Sequence, residues 1–394
     1  MKHIKVVIGS NYGDECKGLA TNYFSSNSDG KCLNVLFNGG SQRGHTVDLK
    51  NGWRHVFHHF GSGTFSGATT YFDKNFMVYP AEFVREYITL PVRPRCFASK
   101  DCRVTTPYDA FINWIVEDSR GDSRHGSCGY GVWETQKRYE DGNYSFRLSK
   151  LFSMRDEEIF EYLTDIANVY LPNRLKYYGI YRIPDEYKVL ISSERLRHHF
   201  LQDIREMQSV VEIADFQHIA EAFDTIVFEG AQGLALDENN KKSYPHVTAS
   251  DTTSQNPLKL IKELQCSCDI EVCYITRSYF TRHGAGEFPT ECDKDKINPL
   301  IEDATNIDNK YQKSIRYGYF DKKEFMSRVN SDRSLAYSLC GEDFPIKFSV
   351  FVSHLNYTDG EIFGNCKIKD LFTEFSCIYK SSTKYAEDIE CLTL

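Results

Sequence analysis

Ile4-Lys5-Val6-Val7-Ile8-Gly9-Ser10-Asn11-Tyr12-Gly13-Asp14-Glu15-Cys16-Lys17-Gly18 is the stretch on which the reading of the chain turns. The apolar run Ile4 to Ile8, rich in β-branched residues, predicts a buried parallel strand. It ends at Gly9, and beyond the turn a helical pattern runs through Leu19, Ala20, Tyr23 and Phe24. A strand, a glycine-bearing turn with a lysine and then a helix form a cradle for phosphate. Glycines let backbone N–H groups approach the anion, the helix N-terminus faces it, and Lys17 adds charge. An ordinary Walker A loop is excluded. It needs the lysine directly after the last glycine and a Ser or Thr behind it, whereas here Cys16 precedes Lys17 and Gly18 follows.

A second unit repeats the logic. Leu33 to Phe37 predicts another apolar strand, which delivers Asn38-Gly39-Gly40-Ser41-Gln42-Arg43-Gly44-His45-Thr46. Placed on neighbouring parallel strands, the two glycine-rich ends would gather Asp14, Lys17 and His45 around one crevice. A carboxylate, an ammonium and an imidazole beside a phosphate cradle point to proton abstraction, charge neutralisation and general acid work. Further strands are predicted at Thr225 to Phe228, Val272 to Thr276 and Phe348 to Val352. Between them, Ile159, Tyr162, Leu163 and Ile166, and then Leu201, Ile204, Met207 and Val211, recur at helical spacing. The expected class is α/β with a mostly parallel central sheet and helices on both faces. One domain spanning 1–394 is expected, with a helical insertion around 105–220.

The net charge of −8 argues against a generic nucleic-acid binder, because a phosphate backbone needs a basic face. The 13 Cys are an odd number, spread singly apart from Cys266 and Cys268, which suits reduced thiols better than a disulfide framework or a zinc site. No signal segment and no stretch long enough to span a bilayer is read, so the expectation is a cytoplasmic protein with no membrane or nucleic-acid partner. His55, His58 and His59 precede Gly61-Ser62-Gly63 without acidic or Cys ligand spacing, so a positional or packing role is expected of them.

Gly13-Asp14-Glu15-x-Lys17-Gly18 followed by Gly39-Gly40-x-x-x-Gly44-His45-Thr46 resembles adenylosuccinate synthetase. The resemblance continues, in the family's order, through Glu229-Gly230-Ala231-Gln232-Gly233 and Tyr244-Pro245-His246-Val247-Thr248. It ends with Thr281-Arg282-His283-Gly284-Ala285-Gly286-Glu287-Phe288-Pro289-Thr290-Glu291, and so covers roughly residues 4 to 321. It implies a P-loop-NTPase-like fold and a C–N-forming ligase. L-aspartate would be joined to C6 of a purine nucleoside monophosphate through a 6-phosphoryl intermediate, at the expense of a purine nucleoside triphosphate. Asp14 would take the N1 proton, His45 would stabilise O6 and Lys17 would neutralise the transferred phosphoryl. Mg2+ would be held by Asp14, the Gly44 carbonyl and phosphate oxygens, an all-oxygen shell that suits that ion. Gly13, Glu15, Cys16, Gly18, Gly44 and Thr46 would line the triphosphate, with Asn356 and Ser382 from late segments. Gln42, Ser127, Cys128, Gln232 and Thr248 would serve the monophosphate. The family is a homodimer in which an arginine crosses to the partner's monophosphate; Arg138 or Arg147 fits that place.

Two departures bear on substrate choice. The family's arginine-rich aspartate loop is matched by Lys313-Ser314-Ile315-Arg316, which keeps two cations, Lys313 and Arg316. The family's guanine-reading Thr-Lys-Leu-Asp is matched by Ser353-His354-Leu355-Asn356. An amide at position 356 both donates and accepts, so GTP and ATP are both open. These losses are similar to those of a viral branch that makes 2-aminoadenylosuccinate from (d)GMP with ATP for diaminopurine DNA, in host cytoplasm. Retention of Asp14 is similar to the IMP-specific enzymes. A non-catalytic nucleotide-binding relative is a further alternative.

Overall fold

The computed structural model describes residues 1–303, 311–341, 344–362 and 367–394. Among these, ten strands form the main sheet: β1 (Lys2–Gly9), β2 (Cys32–Leu36), β3 (Thr69–Phe72), β4 (Cys96–Ala98) and β5 (Val211–Ile213), then β6 (Thr225–Gly233), β7 (Cys268–Arg277), β8 (Ile346–Ser353), β9 (Cys377–Lys380) and β10 (Glu390–Thr393). Their order across the sheet is β10-β9-β8-β7-β1-β6-β2-β3-β4-β5. Every neighbouring pair is parallel except the edge pair β9 and β10. The expected α/β class with a mostly parallel sheet is what forms.

Helices of nine residues or more are α1 (Lys17–Ser26), α2 (Pro80–Thr89), α3 (Pro107–Ser119), α4 (Val132–Asp141), α5 (Asp156–Asp165), α6 (Glu194–Val210), α7 (Gln255–Glu263) and α8 (Lys322–Cys340). Alternation along β1 decides what packs where, because successive side chains point to opposite faces. Ile4, Val6 and Ile8 join Leu258 and Ile261 of α7 and Phe325 and Val329 of α8. Val7 faces the other way, against Leu19, Ala20 and Phe24 of α1. Both faces of the strand are therefore dry, which is why its sequence reads as a continuous apolar run. Between β4 and β5 the chain is mainly helical, after a short strand at Arg103–Val104, and α3, α5 and α6 share a separate apolar cluster that includes Ile159, Leu163, Ile204 and Met207. Thr106 and Asp109 cap α3 reciprocally, with Pro107 in its first turn.

One expectation about register is corrected. β1 and β2 are not neighbours: β6 runs between them, pairing Ile4 with Ile226 on one side and Leu33 with Ile226 on the other. Local apolar patterns announce that strands exist but carry no signal for their order across a sheet. The two glycine-rich ends still emerge at the same edge, where ligands of open parallel sheets bind.

Candidate active site

The turn after β1 is built around a buried carboxylate. Glu15 accepts from the N–H groups of Asn11 (3.0 Å) and Gly13 (2.8 Å). It also accepts from Lys17 Nζ (3.2 Å), which donates in turn to the Gly13 carbonyl (2.6 Å). Glu15 thus braces the turn from inside and does not offer its carboxylate to a nucleotide. Cys16 closes the turn at φ 70°, a left-handed conformation that favours glycine. Gly18 is required by proximity: a Cβ there would stand 2.9 Å from the Thr46 carbonyl oxygen and 3.0 Å from His45 Cβ. Direct packing of α1 on residues 45 and 46 joins the two motifs despite the intervening strand.

His45 is held at one ring nitrogen. Its Nδ1 lies 2.5 Å from Glu229 Oε1, and Arg43 Nη2 lies 2.7 Å from the same oxygen. Ser62 donates to Glu229 through both its N–H (2.9 Å) and its hydroxyl. Burial opposes charge on Glu229, yet Arg43, His45 and Ser62 hold its carboxyl down to about 2. Burial and the Arg43 charge push the His45 imidazole down to about 3. At neutral pH the ring is uncharged, with its proton on Nδ1 facing the carboxylate and a lone pair on Nε2.

Asp14 sits under two touching loops. Its carbonyl accepts from Arg277 Nε (2.5 Å), and its carboxylate is 3.7 Å from His283 Nε2. A Cβ on Gly126 would meet Gly284 Cα at 2.9 Å, so the loops around these glycines meet backbone to backbone. Cys128 follows in the first loop. Burial, with Asp14 adding to it, raises its thiol to about 12, and Gln312 donates to Sγ at 3.0 Å. The Ser127 hydroxyl donates to Asn113 (3.1 Å).

Gln42 presents a buried amide whose oxygen and nitrogen both lack a hydrogen-bond partner, beside Gly39 and Gly40. Gln232 adopts φ 63° with its amide oxygen against Gly13. Half-buried Thr248 is tied by its N–H to the Leu236 carbonyl (2.8 Å). On the other side of the phosphate loop, Cys16 Sγ lies 3.7 Å from His354 Nδ1, which places exposed Asn356 two residues beyond. Exposed Ser382 belongs to a segment that Lys384 pins to Asp48 (3.0 Å), just past Thr46.

This clustering can be set beside known proteins. A family model described as adenylosuccinate synthetase matches residues 6–347. The chain belongs to the adenylosuccinate synthetase family. Among curated members, the enzyme of Teredinibacter turnerae is 31% identical over 298 residues, 73% of this chain and 65% of that one. That of Chlorobium chlorochromatii is 28% identical over 298 residues, covering 73% and 64%. The chain therefore matches a little under two thirds of the length of these relatives. In fold it is similar to the fully ligated adenylosuccinate synthetase of Plasmodium falciparum, with TM-score 0.67 and 18% identity over 99% of this chain and 87% of that one. It is similar also to the succinoaminodeoxyadenylate synthetase (PurZ) of cyanophage S-2L, a structure bound to dGMP and dATP, with TM-score 0.61 and 17% identity over 99% and 95%.

Within this adenylosuccinate synthetase fold, two arginines expected to bind substrate are already committed. Arg138 is fully buried and makes a two-pronged pair with Asp109 (Nε to Oδ1 and Nη2 to Oδ2, both 2.9 Å), plus bonds to Tyr162 and the Val104 carbonyl. It holds α4 to α3 and cannot reach a partner subunit. Arg147 is half-exposed, stacked 4.7 Å over Tyr139 and bonded to the Asp101 carbonyl (3.1 Å). Arg316 clamps Glu291 with Nε (2.9 Å) and Nη2 (2.5 Å), while Nη1 serves the carbonyls of Gly284 and Gly286. Its fork is filled, so it braces the 284–291 loop and is not open to aspartate. Lys313 is exposed at φ 60°. Of the three histidines, His59 packs against Phe76 and Phe83, and His55 bonds Glu86 at 3.3 Å. His58 Nδ1 lies 3.0 Å from the Ser41 carbonyl. No helix among the described residues is long and apolar enough to cross a membrane.

Sequence reasoning passed over Glu229, Arg43, His283 and Arg277. The first three were signalled only as single polar residues inside quoted motifs, and Arg277 closes an apolar strand.

Proposed function

We propose that this protein ligates L-aspartate to C6 of a 6-oxopurine nucleoside monophosphate, through a 6-phosphoryl intermediate formed from a purine triphosphate. One observation carries the reading: His45, fixed by Glu229, is packed against the helix start that bears Lys17, on the same sheet edge as Asp14. In this reading Asp14 accepts the N1 proton of the purine. His45, having taken a proton from solvent on Nε2 as the purine binds, donates it in a hydrogen bond to O6 while negative charge gathers there, the imidazolium lying between Glu229 and the oxyanion. Lys17 and the amides of the phosphate loop neutralise the transferred phosphoryl. Gln42, Gln232, Thr248 and the Ser127–Cys128 loop hold the monophosphate, and exposed Lys313 is a cation among the described residues that is open to a carboxylate.

Mg2+ fits the donor set. The Asp14 carboxylate is partly open, with a side chain 23% exposed, and Gly44 leaves its backbone accessible. These oxygens would hold the ion beside phosphate oxygens, and when bound it supplies charge neutralisation at the triphosphate. A homodimer in which Arg147 reaches the partner's monophosphate accompanies the proposal.

IMP with formation of adenylosuccinate is the first reading, supported by retention of Asp14. The second is a (d)GMP-using, ATP-dependent enzyme of the diaminopurine type. It is favoured by the exposed amide of Asn356 and by likeness to a phage protein bound to dGMP and dATP. Product formation from IMP, dIMP, GMP and dGMP, each with GTP or ATP and with or without aspartate, tests both. Asp14→Ala should abolish turnover while leaving melting unchanged, and His45→Ala should abolish it with a lowered melting temperature, because its ring is buried against Glu229. Absence of ligation with every pair would leave a nucleotide-binding relative in its place.

A further inference from the structure

We propose that His283 is a positioning residue for the Asp14 carboxylate, an inference that rests on the ligase reading above. His283 leaves the short strand Phe280–Arg282 and opens the loop whose Gly284 meets Gly126. Two guanidiniums fix that loop. Arg282 donates to the carbonyls of Glu287 (2.8 Å) and Ala285 (3.1 Å), and Arg316 donates to those of Gly284 (3.3 Å) and Gly286 (2.9 Å) while holding Glu291. The imidazole is thus carried on a rigid frame, its side chain 16% exposed, with Nε2 3.7 Å from Asp14 Oδ2.

The tautomer follows from what each ring nitrogen faces. Nδ1 is buried without a hydrogen-bond partner. Nε2 faces an anionic oxygen, so a lone pair there would oppose another lone pair, whereas an N–H is attracted. The neutral ring therefore carries its proton on Nε2. The present separation exceeds a hydrogen bond, and such contacts tighten when substrate completes a site. Closing it would use one lone pair of Oδ2, leaving the other free for a cation, and would leave Oδ1 aimed for the N1 proton. A carboxylate with one oxygen tied has a single presentation, and the gain belongs to the proton-transfer step and not to ground-state binding.

The test uses the full-length protein with His283→Leu and His283→Gln, the second keeping an N–H near the Nε2 position. Steady-state kinetics would be joined to positional isotope exchange in 18O-labelled triphosphate without aspartate, which reads the phosphorylation half alone. His283→Leu should lower kcat and exchange about 10- to 100-fold with KM for the monophosphate nearly unchanged, and His283→Gln should recover most of the loss. Unchanged kcat in His283→Leu, or equal losses in both variants with a raised KM, would overturn the proposal. Nitrogen-15 spectra of the histidine rings read the tautomer without any turnover. An Nε2–H form at His283 is expected, and an Nδ1–H form refutes the positioning role. An unmodified protein that shows no exchange with any monophosphate, yet has the Nε2–H form, would instead refute the ligase reading.

Discussion

Glu229 Oε1 receives both His45 Nδ1, at 2.5 Å, and Arg43 Nη2, at 2.7 Å, so one buried oxygen orients the imidazole and neutralises the guanidinium. Glu229→Gln keeps the shape but removes the charge and can present an N–H to the ring. The His45 tautomer would then be lost, and kcat should fall by about 100-fold or more, judged by the cost of a mis-set tautomer elsewhere. Arg43 would remain buried without its counter-charge, at a cost of roughly 3 kcal/mol. Turnover and thermal melting of the variant check both effects.

Arg138 and Arg147 should separate cleanly. Arg138→Met leaves Asp109 buried without its counter-charge, so stability should drop by about 3–5 kcal/mol in denaturant titration. A further Asp109→Leu change should recover part of it. Arg147→Ala should leave melting unchanged. If Arg147 serves a partner's site, mixing Arg147→Ala with Lys17→Ala chains will restore activity through hybrid sites, whereas Arg138→Met chains will not complement. An active protein that sediments strictly as a monomer would exclude the crossing arginine.

Asn356 should relax donor choice. An aspartate there would accept two hydrogen bonds from guanine and repel adenine N1, whereas an amide can turn its nitrogen toward that atom. ATP is expected to support initial rates at least comparable to GTP, and Asn356→Asp should shift preference toward GTP. Strong GTP preference in the unmodified chain would show that another group reads the base.

Asp332 gives the protein a pH-sensitive strut. It is buried under β7, accepting from the Ser254 N–H (2.8 Å) and the Tyr274 hydroxyl (2.8 Å). Burial outweighs those bonds and raises its carboxyl to about 6. Because the folded state binds this proton more tightly than the unfolded chain, the stability it contributes is complete below about pH 4. That contribution is lost as pH rises through about 6, and amounts to roughly 3 kcal/mol. Asp332→Asn should flatten this part of the stability profile between pH 4 and 7, measured as the difference from the unmodified protein.

Features carried by local pattern were legible in the sequence. Ile4 to Ile8 and Thr225 to Phe228 read as buried strands because their apolar residues fill both faces of a sheet. Gly18 and His45 stand out because they fall in glycine-rich motifs that follow predicted strands. Features set by distant partners were not legible. The insertion of β6 between β1 and β2 leaves no trace in either strand. Whether an arginine is a free cation depends on where the nearest carboxylate folds: Asp109 claims Arg138, and Glu291 claims Arg316. Arg147, not separable from Arg138 by spacing, became so only once the core was seen to contain one of them.

The placement of β6 also has a consequence for biosynthesis. The strands β1 and β2, which lead to Asp14 and His45, emerge early from the ribosome, yet the ribbon that belongs between them begins only at Thr225. Until it arrives, β1 has neither of its neighbours, since β7 begins later still at Cys268, and β2 lacks one; the nascent chain carries these three unpaired strand edges, and closing so long a loop slows the pairing. A fragment ending before this strand would hold both glycine motifs and still be inert, sticky and dependent on chaperones. Synthesis of the two glycine motifs and assembly of the site they build are thereby separated in time, with the later event triggered by a segment whose own Glu229 then orients His45.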